Sequence, residues 1–170
     1  MLTVIGEALV DVLSGGISAP RTFVGGSPLN VAVGLAKLGH PVTFIGRWGD
    51  DEFGAKILHA LESNNVRHIC GPDDHPTSTA RGILDPVGAA SYTFDVHWDL
   101  PELPADTPAL ADAQLVHTGS LATLVEPGAG KVLRLIEAAR PHATITYDPN
   151  IRPSLITDHG QAVANVERFV

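Results

Sequence analysis

Residues 25–30 read GGSPLN and run directly into VAVGLAKLG at residues 31–39. This pattern is typical of a glycine turn that opens a helix, with Ser27 as the N-cap and Pro28 at the first helical position. Gly39 predicts the end of the helix, because glycine adopts the left-handed conformation found there. Apolar residues at helical spacing predict the buried face: Val31, Leu35 and Leu38.

The same stretch is a candidate ligand site. Gly25 and Gly26 carry no side chain, so a ligand can approach the backbone closely. A helix start offers free N–H donors, and Asn30 adds a side-chain donor and acceptor in the first turn. These mixed polar groups suit a small polyhydroxylated ligand. The alternative is a glycine turn before an ordinary core helix.

Composition and charge narrow the class of protein. The chain has 170 residues, 44% of them hydrophobic, which predicts one globular domain with a substantial core. The net charge of −8 argues against a nucleic-acid partner, which requires a basic face. The apolar runs are too short to span a bilayer, so no membrane association is expected.

The N-terminus and the cysteine content predict a cytoplasmic protein. Met1 leads into an apolar run without the basic region of a secretory signal. Cys70 is the only cysteine, so no intramolecular disulfide can form. The histidines lack the spacing of metal ligands, and we expect no metal site built from protein side chains.

Apolar runs typical of strands alternate with helical patterns along most of the chain. This alternation predicts an α/β fold, with a mostly parallel, Rossmann-like sheet covered on both faces by helices. The predicted strands are residues 2–5, 42–45, 66–69, 115–117 and 144–147. After the helix that follows Gly26, further helices are predicted after Asp50, which can serve as a cap, and at residues 127–140 and 159–170.

The middle of the chain has a different pattern. Residues 78–84 and 90–96 are two strand-like runs, and polar and apolar residues alternate in the second. This alternation favours an antiparallel hairpin with one open face. We therefore predict a small antiparallel β flap, or lid, with strands near residues 9–24 and 77–97.

Polar and glycine residues follow several predicted strands. Ligands of parallel sheets bind beyond the carboxyl ends of the strands, so these residues are expected to converge there. They are Asp11, Gly25, Gly26, Asn30, Gly119, Ser120, Asn150 and Arg152.

The end of the chain leaves the predicted sheet open. No strand follows the last predicted helix, so a parallel edge remains uncovered. We expect residues 1–170 to be the N-terminal part of one longer domain. The alternative is a naturally short chain whose open edge is covered by a partner.

Several stretches together resemble the ribokinase-like, or PfkB, carbohydrate kinases, in particular the fructokinase branch. Residues 25–39 are similar to the N-terminal signature of that family, and residues 6–11 (GEALVD) to its first strand. Residues 46–54 (GRWGDDEFG) and 147–153 (YDPNIRP) resemble its conserved loop and its Asp-Pro-Asn-x-Arg motif. The resemblance covers the chain in order and implies a ribokinase-like fold whose C-terminal part is missing here.

The resemblance implies transfer of the γ-phosphate of ATP to a sugar hydroxyl, with Mg²⁺. Asp11, Gly25, Gly26 and Asn30 would hold the sugar, since a carboxylate accepts strong hydrogen bonds from adjacent hydroxyls. The alternative for Asp11 is an exposed carboxylate on a strand. The lid would close over the sugar and exclude water.

The phosphate end of the site is implied in the same way. Arg152 would be the cation near the transferred phosphate, and Asn150 would lie near the nucleotide phosphates. A surface ion pair for Arg152 and a turn role for Asn150 are the alternatives. The catalytic base of the family is an Asp beyond position 170, so this chain alone is expected to be inactive.

The lid bears on the choice of sugar. Relatives that act on keto-deoxy acid sugars often carry an aromatic residue followed by Arg, where this chain has Asp95 and Val96. A neutral sugar, with fructose first, is therefore expected. The alternatives are a 2-keto-3-deoxygluconate kinase, in which Arg81 would meet the acid, and a non-catalytic sugar-binding or regulatory module. The resemblance also implies a homodimer formed through the lid strands.

Overall fold

The computed structural model describes residues 1–15, 19–84, 90–151, 156 and 158–170. The strands of this part are β1 (Leu2–Ile5), β2 (Leu9–Ser14), β3 (Arg21–Gly25), β4 (Val42–Ile45), β5 (Arg67–Ile69), β6 (Thr79–Leu84), β7 (Ala90–Asp95), β8 (Leu115–Gly119) and β9 (Thr144–Asp148). The helices are α1 (Ser27–Lys37), α2 (Glu52–Ser63), α3 (Pro108–Ala111), α4 (Gly128–Ala139) and α5 (His159–Phe169), with a 3₁₀ turn at Ser120–Thr123.

The central sheet has five strands in the order β5-β4-β1-β8-β9, and all of its strand pairs are parallel. Successive residues of its inner strands enter the cores on opposite faces. Val4 and Phe44 pack in the core beneath α1 and α2, whereas Ile5 and Ile45 pack in the core beneath α3, α4 and α5. Burial on both faces explains the largely apolar sequences of these strands and confirms the predicted α/β class.

A second, smaller sheet has the strand order β3-β2-β6-β7. It consists of two antiparallel hairpins, β2–β3 and β6–β7. The hairpins join through a parallel pairing of β2 with β6, which the sequence pattern did not predict. This sheet is hereafter called the lid.

Helix α1 begins where the glycine pair predicted it but is capped differently. Gly26 is the N-cap, and no side chain caps the helix, so the prediction that Ser27 is the cap is wrong. The reason is that Gly26 makes the turn itself, with φ 106°, which places Ser27 inside the first turn. Gly39 does end the helix in the left-handed region, with φ 86°.

The buried face of α1 also differs from the prediction. Leu38 is 77% exposed, because the helix ends at Lys37 and Leu38 is its C-cap. Val31 and Leu35 are half-buried. The buried residues of the helix are Pro28, Leu29 and Ala32.

Helix α2 is capped by Asp51 and not by Asp50 as predicted. Asp51 has an extended backbone, and its carboxylate accepts a hydrogen bond from Gly54 N at 2.8 Å. Ile57 and Leu61 are fully buried and anchor the helix on the sheet. No helix among the described residues is long and apolar enough to cross a membrane.

Candidate functional site

A cavity of about 730 Å³ lies between the lid and the carboxyl end of the central sheet. The central sheet, the start of α1 and the lid all contribute to its wall. The lining residues are Glu7, Leu9, Asp11, Gly26, Ser27, Asn30, Val31, Ala80, Tyr92, Phe94, Leu121 and Asn150.

The topology of the sheet explains the position of the cavity. After β1 the chain moves outward through β4 and β5, and it then crosses to β8 and β9 on the other side of β1. Crevices at such a reversal of strand order are the usual ligand sites of open parallel sheets. Glu7, Leu121 and Asn150 follow β1, β8 and β9, so the carboxyl ends of three strands line the cavity.

Strand alternation places Asp11 in the cavity. Val10 and Val12 point into the core next to α2, so Leu9 and Asp11 point the other way, into the cavity. Asp11 lies opposite Ala80 of β6 in the lid register, and Ala80 also lines the cavity.

The glycine pair makes room for this arrangement. A Cβ on Gly25 would lie 2.4 Å from Asp11 Oδ2, so the bare backbone of Gly25 faces the carboxylate. Gly25 itself is not among the lining residues. Gly26 has φ 106°, and a Cβ there would lie 2.5 Å from the carbonyl oxygen of Glu7. Position 26 therefore requires glycine, whereas a side chain at position 25 would displace the carboxylate of Asp11.

The start of α1 faces the cavity. Gly26, Ser27 and Asn30 line it together, and Asn30 N donates to Gly26 O at 2.9 Å to close the first helical turn. The side chain of Asn30 is exposed and can reach a guest molecule. A helix N-terminus also presents the positive end of its dipole, which favours electron-rich ligand atoms.

Two carboxyl groups give the cavity its acidic character. Burial raises the pKa of Asp11 above its ordinary value. Glu7 is only 3% exposed, and its Oε2 accepts a hydrogen bond from Ala122 N at 3.1 Å. A ligand that supplies hydrogen-bond donors to Asp11 would stabilise the charged form of the carboxylate.

Glu7, Tyr92 and Phe94 are among the lining residues that sequence reasoning missed. Glu7 looked like a continuation of the first strand. Tyr92 and Phe94 lie two residues apart on β7, and their ring centroids are 6.3 Å apart. The polar–apolar alternation around Tyr92 could have identified one face of the hairpin, but not the cavity that this face borders.

Asn150 lies at the far side of the cavity, after β9. Its backbone is left-handed, with φ 35°, and its N–H donates to Asp148 Oδ1 at 3.1 Å. The structure therefore brings Asn150 to the same cavity as Asp11, Gly26 and Asn30. Arg152, the predicted cation, lies outside the described residues.

The described residues contain no group of three or more His, Cys, Asp or Glu side chains that could hold a metal ion. Asp51, from the acidic pair of residues 50–51, caps α2 and does not line the cavity.

The residues that line the cavity suit recognition of a small polar guest. They provide a carboxylate, an amide and a helix start, under an aromatic lid.

Comparison with known families identifies the chain. The model of the pfkB family carbohydrate kinases matches residues 2–168. The chain belongs to the pfkB family of carbohydrate kinases. This membership confirms the resemblance found in residues 25–39, 46–54 and 147–153.

Several fructokinases are similar to this pfkB family member. The fructokinase of Salmonella typhimurium is 36% identical over 170 residues, which cover 97% of this chain and 55% of the relative. The crystal structure of fructokinase from Xylella fastidiosa aligns with a TM-score of 0.87 at 26% identity, covering 99% of this chain and 58% of that one. The same enzyme with bound ATP aligns with a TM-score of 0.85 at 26% identity, covering 99% of this chain and 57% of that one.

A third fructokinase, from Vibrio cholerae O395, was solved with fructose, ADP and calcium ion bound. It aligns with a TM-score of 0.79 at 27% identity, covering 98% of this chain and 56% of that one. The chain thus spans about half the length of the relatives it matches.

Proposed function

We propose that this chain supplies the sugar-binding part of an ATP-dependent sugar kinase whose preferred substrate is fructose. The proposal rests on one observation: Asp11, Gly26 and Asn30 line the same cavity under the lid. Membership in the pfkB family and the similarity to fructokinases support the reaction class.

In this proposal Asp11 is the main anchor of the sugar. Its two carboxylate oxygens accept hydrogen bonds from adjacent hydroxyls, and a charged acceptor makes such bonds about twice as strong as neutral ones. Asn30 adds one donor and one acceptor, and Gly26 lets a hydroxyl approach the backbone. Gly25 acts indirectly, by leaving space for the carboxylate of Asp11.

The phosphate would enter from the side of Asn150. There the side chain of Asn150 faces the nucleotide phosphates, and Arg152 supplies positive charge near the transferred group. The sugar hydroxyl attacks the γ-phosphorus, a new O–P bond forms, and the bond to the bridging oxygen breaks, releasing ADP. The hydroxyl proton passes to a base that the family places outside residues 1–170.

A relative with bound ATP supports ATP in this proposal, whereas Mg²⁺ is implied by the family resemblance. The ATP-bound fructokinase of Xylella fastidiosa supports ATP as the phosphoryl donor. Mg²⁺ would neutralise charge on the nucleotide phosphates when it is bound. The described residues offer no metal cluster of their own, so no step is assigned to the ion.

Lid residues favour a neutral sugar over an acidic one. Arg81, the candidate partner for an acid, is exposed and neighbours Ala80, which lines the cavity. Adjacent strand residues point to opposite faces, so Arg81 points away from the cavity. Tyr92 and Phe94 instead present aromatic faces, which suit the C–H face of a neutral sugar.

A homodimer formed through the lid is part of the proposal. Ile83 of β6, Tyr92 of β7 and Phe23 of the outer strand β3 are large and exposed. Apolar groups on a sheet with open edges favour association. The molar mass of the protein in solution, measured by light scattering, tests this state: a dimer mass is expected, and a monomer mass at high concentration contradicts it.

The test of the function is a kinase assay on the product of the complete gene. We expect phosphorylation of fructose with ATP, with the KM for fructose raised about 10–100-fold in Asp11→Asn and unchanged in Asp112→Asn, an exposed acid after α3. Sugar binding without phosphoryl transfer would support the non-catalytic module instead. A KM for fructose that is unchanged in Asp11→Asn would show that the proposed site is wrong.

A further inference from the structure

The buried charge of Arg47 marks a second functional element outside the cavity. Arg47 follows β4 and is only 2% exposed. Its guanidinium donates from Nε to Asp73 Oδ2 at 2.9 Å and from Nη2 to Asp73 Oδ1 at 2.5 Å. A buried cation is tolerated only when its donors are satisfied in this way.

The remaining donors of Arg47 reach both ends of one lid hairpin. Nη2 donates to the carbonyl oxygen of His75 at 2.7 Å, and Nη1 donates to that of Pro76 at 3.0 Å. Nη1 also donates to the carbonyl oxygen of His97 at 3.3 Å. Residues 73–76 lead into β6, and His97 follows β7, so one side chain holds the entry and the exit of the hairpin together.

Ser78 ties the two ends directly to each other. Its Oγ donates to the carbonyl oxygen of His97 at 3.1 Å and accepts from His97 N at 3.1 Å. The rings of His75 and His97 stack beside it, with centroids 3.8 Å apart and an interplanar angle of 9°. The base of the hairpin is thus a closed unit.

Thr77 fixes this unit to the start of α2. Its N–H donates to Asp51 Oδ2 at 2.8 Å, and its hydroxyl donates to Asp51 Oδ1 at 2.7 Å. The same hydroxyl accepts from Gly49 N at 3.0 Å. Burial works to raise the pKa of Asp51, but the hydrogen bonds from Thr77 and Gly54 outweigh it and lower the pKa.

The hairpin held in this way carries part of the cavity wall. Ala80 lies three residues after Thr77, opposite Asp11 on one side and Phe94 on the other. A shift at the base of the hairpin would therefore displace Phe94 relative to the carboxylate of Asp11. Neither Arg47 nor Thr77 lines the cavity.

We infer that Arg47, Thr77 and Ser78 form a clamp that positions the β6–β7 hairpin over the sugar. They are positioning residues and touch no substrate. The inference rests on the proposed sugar kinase function and assigns a role to residues 46–54, which the sugar site did not explain.

Thr77→Val tests the clamp in the product of the complete gene. Valine has nearly the same shape but removes the hydroxyl and its bonds to Gly49 and Asp51. We expect the KM for fructose to rise about tenfold, with the KM for ATP and kcat within about twofold of wild type, because only the placement of the lid changes. Amide hydrogen exchange should accelerate in residues 79–84 and 90–95.

Three variants control the experiment. Thr77→Ser keeps the hydroxyl and should restore the KM for fructose. Ser78→Ala removes the tie between the hairpin ends and should raise that KM by about threefold even if Thr77→Val folds poorly. Ile136→Val weakens the buried face of α4 far from the lid and should leave the KM for fructose unchanged.

The outcomes separate the inference from the function on which it rests. A wild-type protein that binds no sugar would overturn the proposed function, and the role of the clamp with it. A wild-type protein that phosphorylates fructose, with an unchanged KM in both Thr77→Val and Ser78→Ala, would overturn the clamp alone. A KM for fructose that rises equally in Ile136→Val would do the same, since general destabilisation would explain it.

Discussion

The carboxylate of Asp11 occupies space that any side chain at position 25 would fill. A Cβ on Gly25 would lie 2.4 Å from Asp11 Oδ2 and 3.3 Å from its Cγ. Asp11 and Gly25 belong to the paired strands β2 and β3, so their separation is fixed by the register of the lid. The glycine pair and the acid are therefore one unit, although they are distant in sequence.

Gly25→Ala should weaken sugar binding strongly. The new methyl group forces the Asp11 carboxylate away from its position, so we expect fructose affinity to fall by at least about tenfold, measured by calorimetry. Gly34→Ala is the matched control, because a Cβ at this exposed position in α1 meets nothing within 4 Å. It should leave affinity unchanged and raise the free energy of unfolding by about 0.5–1 kcal/mol. Equal affinities in the two variants would contradict the proposed contact.

Asp11→Asn should stabilise the folded protein and weaken its binding of fructose. Burial raises the pKa of Asp11, so the charged form destabilises the folded protein above that pKa, and the cost disappears as the pH falls below it. The neutral variant should therefore have a higher free energy of unfolding at neutral pH, measured in urea. Its affinity for fructose should fall by about 10–100-fold, because a hydrogen bond to a charged group is lost. A variant that is less stable than wild type would count against this account of Asp11.

Phe94→Leu should lower sugar affinity without unfolding the lid. An aromatic face adds about 0.5–1.5 kcal/mol beyond simple area burial, so the loss should be about two- to tenfold. Phe23→Leu is the control, because Phe23 is also an aromatic residue of the lid but does not line the cavity. Comparable losses in both variants, measured by calorimetry, would argue against direct contact between Phe94 and the sugar.

The base of the lid should lose stability in acid. Burial, His75 and Arg47 lower the pKa of His97 below its ordinary value of 6.5, and Asp73 and Asp99 oppose them only in part. A base with a lowered pKa takes up protons less readily in the folded state than in the unfolded state. The folded protein should therefore lose stability as the pH falls below about 6.5.

His97→Gln should reduce this pH dependence. Urea unfolding at about pH 7.5 and about pH 5.5 should show a smaller loss in the variant than in wild type. Some loss of stability in acid should remain in the variant, because burial also lowers the pKa of His117. His40→Gln, at an exposed position after α1, should behave like wild type. If His97→Gln loses as much stability in acid as wild type, His97 does not cause the loss.

The fold was predictable because its signals are local. Strands buried on both faces, such as β1 and β4, have largely apolar sequences, and Gly39 marks the end of α1 by its own conformational freedom. The errors were also local. A cap depends on backbone angles of single residues, so Ser27 and Asp50 looked as suitable as Gly26 and Asp51.

The candidate site was predictable only in part. Asp11 lies within β2, and Gly26 and Asn30 follow its hairpin partner β3, so a short stretch of chain brings them together. Phe94 lies at the cavity because its hairpin pairs with β2 through β6. Since β2 and β6 are far apart in the chain, the local sequence gives no signal for this pairing. The role of Arg47 was hidden for the same reason, since its acceptors lie 26 to 50 residues later in the chain.

The most direct test of the sugar site is a crystal structure of the protein with fructose bound. The account predicts fructose in the cavity, with adjacent hydroxyls about 3 Å from the carboxylate of Asp11 and another within hydrogen-bonding distance of Asn30. Fructose bound at another place, without contact to Asp11 or Asn30, would contradict it.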